Sequence, residues 1–125
     1  MFNFLSRLLH LRKRQPALTF VPRAGQLVSV IAEDGIAVAK LLVIDRQGVH
    51  MRLYAQRFPA RPTQEDLPPL DTAPLTPETP FSIGHMPLTY RSFAAWLPEV
   101  ICGSSVTQEE LEGYRMWQEA PGGYF

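Results

Sequence analysis

Between Gln26 and Gln56 the chain reads as three apolar runs separated by two tight turns, and that spacing points to an antiparallel meander. Gln26 to Ala32 is mostly apolar and β-branched, Glu33-Asp34-Gly35 turns the chain, Ile36 to Ile44 follows, and Asp45-Arg46-Gln47-Gly48 leads into Val49 to Gln56. In the third run Val49, Met51, Leu53 and Ala55 alternate with His50, Arg52, Tyr54 and Gln56. Successive side chains on a strand point to opposite faces, so the pattern predicts one buried face and one that presents polar groups. Val28 or Val30, Val43 and Met51 are expected to meet in the core. A small twisted sheet of this kind is the start of a compact β-barrel and a surface for binding.

With 125 residues, 46% hydrophobic and 19% charged, the chain is sized for one soluble domain that buries its own core. Its single cysteine, Cys102, excludes an internal disulfide and suits a reducing, cytoplasmic compartment. Cys102 follows Val100-Ile101 and reads as a small buried hydrophobe. Net charge is zero, but Arg7, Arg12, Lys13, Arg14 and Arg23 all precede the first acid, Glu33, whereas Glu99, Glu109, Glu110, Glu112 and Glu119 share their end of the chain with Arg115 alone. The zero total argues against nucleic-acid affinity through bulk charge.

Residues 1–15 read as an amphipathic helix on a 100° wheel. Phe2, Phe4, Leu5, Leu8, Leu9 and Leu11 fall on one half, Asn3, Ser6, Arg7, His10 and Arg14 on the other, and Gln15-Pro16 ends it. The apolar half is expected to dock on the sheet. Its basic end, Arg12-Lys13-Arg14, also suits an anionic membrane surface, so residues 2–14 are a candidate membrane contact. The cationic residues follow the apolar ones, unlike a secretory signal, and no run reaches the length of a membrane span.

Leu18 to Val21 is expected to add a short strand, completing a meander over 18–57. Phe58 to Pro80 then carries seven of the twelve prolines and no glycine, which predicts an extended irregular excursion pinned by Leu67, Leu70 and Leu75. Phe81-Ser82-Ile83 reads as a returning strand, Gly84-His85-Met86-Pro87 as a turn, Tyr90 to Leu97 as a helix with Phe93, Ala94 and Trp96 inward, and Glu99 to Cys102 as another strand. Thr107 and Glu110 make a capping box that opens a last helix reaching about Ala120, stopped by Pro121-Gly122-Gly123. The fold expected is a single α+β domain, a strongly bent SH3-like antiparallel sheet with helices from both chain ends packed on it.

His10, His50 and His85 are scattered without metal-ligand spacing, and no phosphate loop, nucleophile elbow or cysteine pair occurs. No metal, cofactor or catalytic constellation is therefore expected. In the last helix Leu111, Tyr114 and Trp117 span one side, and Glu109, Glu112, Met116 and Glu119 line the other. That acidic stripe suits a basic protein partner, with Met116 as an adaptable contact and His85 in a neighbouring loop. Gly113 within the helix costs ~1 kcal/mol relative to alanine, which close packing against other backbone would explain.

The Gly25-Gln26-Leu27-Val28 entry, the Glu33-Asp34-Gly35 turn, the polar excursion, and Phe81-Ser82-Ile83-Gly84 followed by Pro98-Glu99-Val100-Ile101 resemble the immunity protein 26 family of bacterial polymorphic-toxin systems, over roughly residues 23–102. The resemblance implies a small cytoplasmic antitoxin that binds and blocks a cognate toxin, with no catalytic residues. The partner-binding residues expected are Glu109, Glu112, Met116, Glu119 and His85. A nucleic-acid- or ribosome-binding β module using Arg46, Arg52, Tyr54 and Arg57 is the first alternative. A small enzyme with His85 and carboxylates in a pocket is the second.

Overall fold

The computed structural model describes residues 16–68, 83–120 and 122–125. Strands β1 (Leu27–Ala32), β2 (Gly35–Ile44) and β3 (Gly48–Phe58) form the expected meander. Two more strands, β4 (Ile83–Thr89) and β5 (Glu99–Cys102), extend it at opposite edges to an antiparallel five-stranded sheet in the order β4-β3-β2-β1-β5. The sheet stays open and does not close into a barrel. Two short helices, α1 (Tyr90–Ala95) and α2 (Glu112–Glu119), complete an α+β domain. The N-terminal helix expected over 1–15 lies outside the described residues, as do Leu70 and Leu75.

The second turn shows why this sequence folds locally. Asp45 accepts the Gln47 and Gly48 backbone N–H groups at 2.8 and 2.9 Å through Oδ1, an Asx turn that starts β3. Gly48 is fixed by close approach, because a Cβ there would lie 1.8 Å from the Leu88 carbonyl oxygen of β4. The Glu33-Asp34-Gly35 turn is closed by Arg57, whose Nε donates to Asp34 Oδ1 at 2.8 Å.

One sheet face carries the main core: Val28, Val30, Ala37, Ala39, Leu41, Val49, Met51 and Leu53, joined by Leu88 and by Phe93 of α1. Each fully buried aliphatic side chain contributes roughly 1.5–3 kcal/mol. Val43 does not join this core. A register shift between Leu41 and Val43 in the β2–β3 ladder leaves Val43 half-buried, and Leu41 takes the central place. Residues 18–21 form no strand either; Leu18 and Phe20 pack on the core instead, Phe20 edge-on to Phe93 at 6.3 Å.

Gly84 to Pro87 is the inner part of β4, not a turn. β4 is an edge strand, where proline's missing N–H costs no ladder bond, and the Pro87 carbonyl accepts the Phe125 N–H at 2.9 Å. Thr89 N–H donates to the Phe125 carbonyl at 3.0 Å, so the chain end pairs along this edge. Thr89 also caps α1 by accepting from Ser92 N–H. Phe93 and Ala94 are buried as expected, Trp96 is half-buried, and Leu97 with φ 52° turns the chain toward β5. Of the proline-rich excursion, residues 59–68 contain one 3-10 turn, Gln64–Asp66, and Leu67 packs on a second cluster of Leu27, Val38 and Tyr54.

Candidate functional site

The second sheet face departs most from expectation. His50, Arg52 and Tyr54 alternate with the core residues of β3, but they are covered: His50 is 0% exposed, Arg52 2% and Tyr54 7%. This face is not a polar surface open to solvent. The cover over His50 comes from the far end of the chain, where Tyr114 and Trp117 of α2 and Tyr124 of the tail set their rings against the His50 imidazole at 4.8, 4.8 and 5.2 Å.

His50 is the centre of a polar chain. Its Nε2 lies 2.8 Å from Asp45 Oδ2 and 3.0 Å from the Tyr124 hydroxyl, while Nδ1 lies 2.8 Å from His85 Nε2. Tyr124 also donates a short hydrogen bond to Asp45 Oδ2, and the Tyr90 hydroxyl donates to the Asp45 carbonyl. Desolvation would raise the Asp45 carboxyl, but donors from Tyr124, His50, Gly48 and Gln47 outweigh it and hold its pKa at about 2. Ionised Asp45 therefore accepts the His50 Nε2 proton. Between His50 Nδ1 and His85 Nε2 one nitrogen donates and the other accepts, according to the tautomer. Burial, and then the neighbouring His50, push the His85 pKa down to about 4, so the His85 imidazole is neutral near pH 7. Burial and the bond to Asp45 raise the Tyr124 hydroxyl, which stays a donor.

A buried ion pair flanks this chain. Lys40, in the middle of β2, places Nζ 3.0 Å from Glu110 Oε1 and 2.5 Å from the Ser105 carbonyl. The Thr107–Glu110 capping box forms as expected, with Thr107 N–H donating to Glu110 Oε1 at 2.9 Å and Glu110 N–H to Thr107 Oγ1 at 3.3 Å. The helix opens with a 3-10 turn, Glu109–Leu111, before α2 proper. Glu110 is thus fixed by sheet and cap together and is 1% exposed. Its other oxygen, Oε2, is buried without a hydrogen-bond partner among the described residues.

Next to Glu110 opens a cavity of about 160 Å³ between α2 and β4. Arg52 and Glu110 form its floor; Glu109, Glu112 and Met116 stand exposed at its mouth, with His85 on the β4 side. Four of the five residues expected to bind a partner therefore converge on one place. The fifth, Glu119, is exposed at the end of α2 and does not line it. Gly113 explains the close approach of helix and strand, since a Cβ there would lie 2.6 Å from His85 Cβ.

The aspartate–histidine–histidine chain has the form of a proton relay, yet the cavity lining offers no hydroxyl or thiol as a nucleophile. Among the described residues no group of three or more His, Cys, Asp and Glu side chains has a metal-binding arrangement. No helix among them is long and apolar enough to cross a membrane. Comparison with protein-family models, with curated proteins and with solved structures finds no match.

Sequence reasoning missed Asp45, His50, Glu110, Lys40 and Tyr124 as parts of this site. Two signals were present. Lys40 stands alone in an apolar strand and so requires a buried partner, and the Tyr114, Trp117 and Tyr124 series is too aromatic to remain uncovered at the chain end.

Proposed function

We propose that this chain is an immunity-type inhibitor, a stoichiometric antitoxin that binds a cognate bacterial toxin through the acidic face of α2 and occludes its active site. The observation that carries this reading is the convergence of Glu109, Glu112, Met116 and His85 on one cavity mouth, backed by side chains that are already locked. Behind them His50 is held by Asp45, His85 and three aromatic rings, and Glu110 by Lys40 and Thr107. These contacts fix the backbone of the segment that presents Glu109, Glu112 and Met116, so little main-chain ordering is needed on association. Exposed carboxylates speed encounter with a basic partner and stand in for substrate phosphate where the toxin is a nuclease.

The nucleic-acid alternative needs Arg46, Arg52, Tyr54 and Arg57 on one open face. Arg52 and Tyr54 are buried, and Arg57 is engaged by Asp34 and by the Tyr54, Ala55 and Gln56 carbonyls, so no observation favours it. The test is capture of the partner from source cells with the tagged chain, followed by titration of the captured protein's toxic activity. Complete inhibition at one chain per toxin is expected. Capture of a toxin whose activity the chain leaves unchanged would overturn the reading.

A further inference from the structure

Two stacked histidines form the seat on which α2 rests. His50 is 0% exposed on β3, and the α2 rings Tyr114 and Trp117 each stand 4.8 Å from it between centroids. His85 on β4 completes the seat, stacking on His50 at 5.1 Å and meeting Tyr114 and Trp117 at 6.0 Å each. The α2 backbone passes so close at Gly113 that a Cβ there would lie 2.6 Å from His85 Cβ. The helix has no deeper anchor of its own. None of its residues, Glu112–Glu119, is buried, and the Glu110–Lys40 pair ties down the 3-10 turn ahead of it. By contrast β4 is laddered to β3, and Phe125 of the tail bonds to Pro87 and Thr89. An element attached by so little buried surface opens at a lower free energy than the core beneath it.

The seat depends on a missing proton. His50 Nδ1 and His85 Nε2 face each other at 2.8 Å, and a hydrogen bond between two ring nitrogens needs one of them proton-free. A single cationic ring still satisfies this by donating to the neutral one. When both rings are cationic, two N–H groups stand head to head inside one stack. The surrounding groups offer that state little support. Asp45 and Tyr124 bond to His50 from the turn and the tail, Tyr90 of α1 bonds to the Asp45 carbonyl, and Tyr114 faces both rings from α2. On the cavity side His85 is joined by the Arg52 cation of β3, by Glu110, which is paired with Lys40, and by Glu109 and Glu112, whose attraction is screened because both are exposed. Among the described residues Asp45 is the carboxylate that bonds to the pair, and it bonds through His50, not His85.

We infer that His50 and His85 form a proton-operated latch: on acidification the second proton breaks their contact and α2 lifts from the sheet, while the five strands and α1 stay folded. The strands survive because the buried residues of the main core, Val28 to Phe93, include no titratable side chain and lie on the opposite sheet face. α2 is the element that gives way because its backbone lies against His85 at Gly113 and its rings rest on the pair itself. Burial holds His85 at about 4 in the closed form against an ordinary 6.5, so protons bind the open form more tightly and opening grows as pH falls below 6.5. The latch is independent of what α2 binds.

The test is an acid titration of the isotope-labelled chain from about pH 7 to about pH 4, followed by amide resonances. The Trp117 indole N–H, which donates to the Gly123 carbonyl at 3.2 Å, reports on α2 as well. Amides of Glu112–Glu119 and the indole should leave their native positions together, at a midpoint between pH 6.5 and 4, while Val28, Leu41 and Met51 keep theirs. His85→Gln places an amide nitrogen where Nε2 stands and still meets His50 Nδ1, but it takes up no proton. Its α2 should need at least tenfold more acid to open. Where glutamine fails to seat α2 at neutral pH, the parent chain decides alone, through the order in which helix and sheet signals are lost. Helix signals still native at pH 4, or helix and sheet lost together, would overturn the inference. So would a seated His85→Gln chain that opens at the parental midpoint, because the opening would then belong to the surrounding carboxylates.

Discussion

Replacing Gly113 with alanine adds one methyl group, and the sign of its effect on stability reports whether α2 truly sits against β4. In a solvated helix the change is favourable by ~1 kcal/mol, because alanine has the higher helix propensity. Here the new Cβ would stand 2.6 Å from His85 Cβ, about 1 Å inside ordinary van der Waals contact. His85 has little room to retreat. Its ring stacks on His50 at 5.1 Å between centroids and is tied to it by the 2.8 Å hydrogen bond, and His50 is fully buried. Overpacking of this kind costs about 1–3 kcal/mol, so the propensity gain of ~1 kcal/mol leaves a net loss of about 0–2 kcal/mol in place of the gain. For a chain of this size that is a fall in Tm of up to roughly 8 °C by calorimetry, where a solvated glycine would give a rise. Gly103→Ala is the control, because nothing lies within 4 Å of its added Cβ, and it should change stability by less than ~0.5 kcal/mol. A Gly113→Ala variant more stable than the parent would refute the packing of helix on strand and the cavity built from it.

Three further outcomes follow from the core and the buried charges. Leu41→Asp puts an unpaired charge at a 0% exposed position and should cost several kcal/mol in chemical denaturation, whereas Val43→Asp, half-buried beside the register shift, should cost less than half as much; equal losses would contradict the shift. Lys40→Met leaves the Glu110 carboxylate buried alone and should cost about 3–5 kcal/mol by the same assay, with Lys40→Met/Glu110→Leu recovering much of it apart from about 1 kcal/mol for the lost cap; a double variant weaker than Lys40→Met would contradict the pairing. His85 is protonated near pH 6.5 when unfolded but only near 4 when folded, so stability is fully present above pH 6.5 and falls as pH drops toward 4. The full shift converts to about 3.4 kcal/mol, reduced to about 1–2 kcal/mol because the ring is only half-buried and solvent-screened. Asp45, held at about 2 against an ordinary 3.8, adds a second loss between about pH 4 and 2, and urea midpoints that stay flat from pH 7 to 4 would contradict the histidine chain.

The meander was legible because its three runs and two turns are local, and local signals need no tertiary partner. Glu99 to Cys102, the Thr107–Glu110 cap and the exposed acidic stripe were legible for the same reason. β4 was misread as a turn because Gly84 and Pro87 usually break strands; its place on the sheet edge, opposite β3, is what tolerates them. The covered face of β3 was misread because alternation reports that His50 and Arg52 are polar, not what lies over them. That cover arrives from Tyr124, 74 residues further along, and through a glycine in α2 whose reason lies on another element. Val43 was misplaced by a register irregularity that hydrophobic periodicity does not encode.

The central claim, recognition of a protein toxin by the acidic face of α2, is tested most directly by association kinetics with the captured partner. Glu109→Lys/Glu112→Lys/Glu119→Lys changes only exposed positions and should leave the fold intact, within about 0.5 kcal/mol for each site. The account predicts that the triple variant associates at least tenfold more slowly than the parent at low salt, and that parental association slows as salt shortens the screening length to below ~10 Å. Parental kinetics in the triple variant at low salt would contradict it.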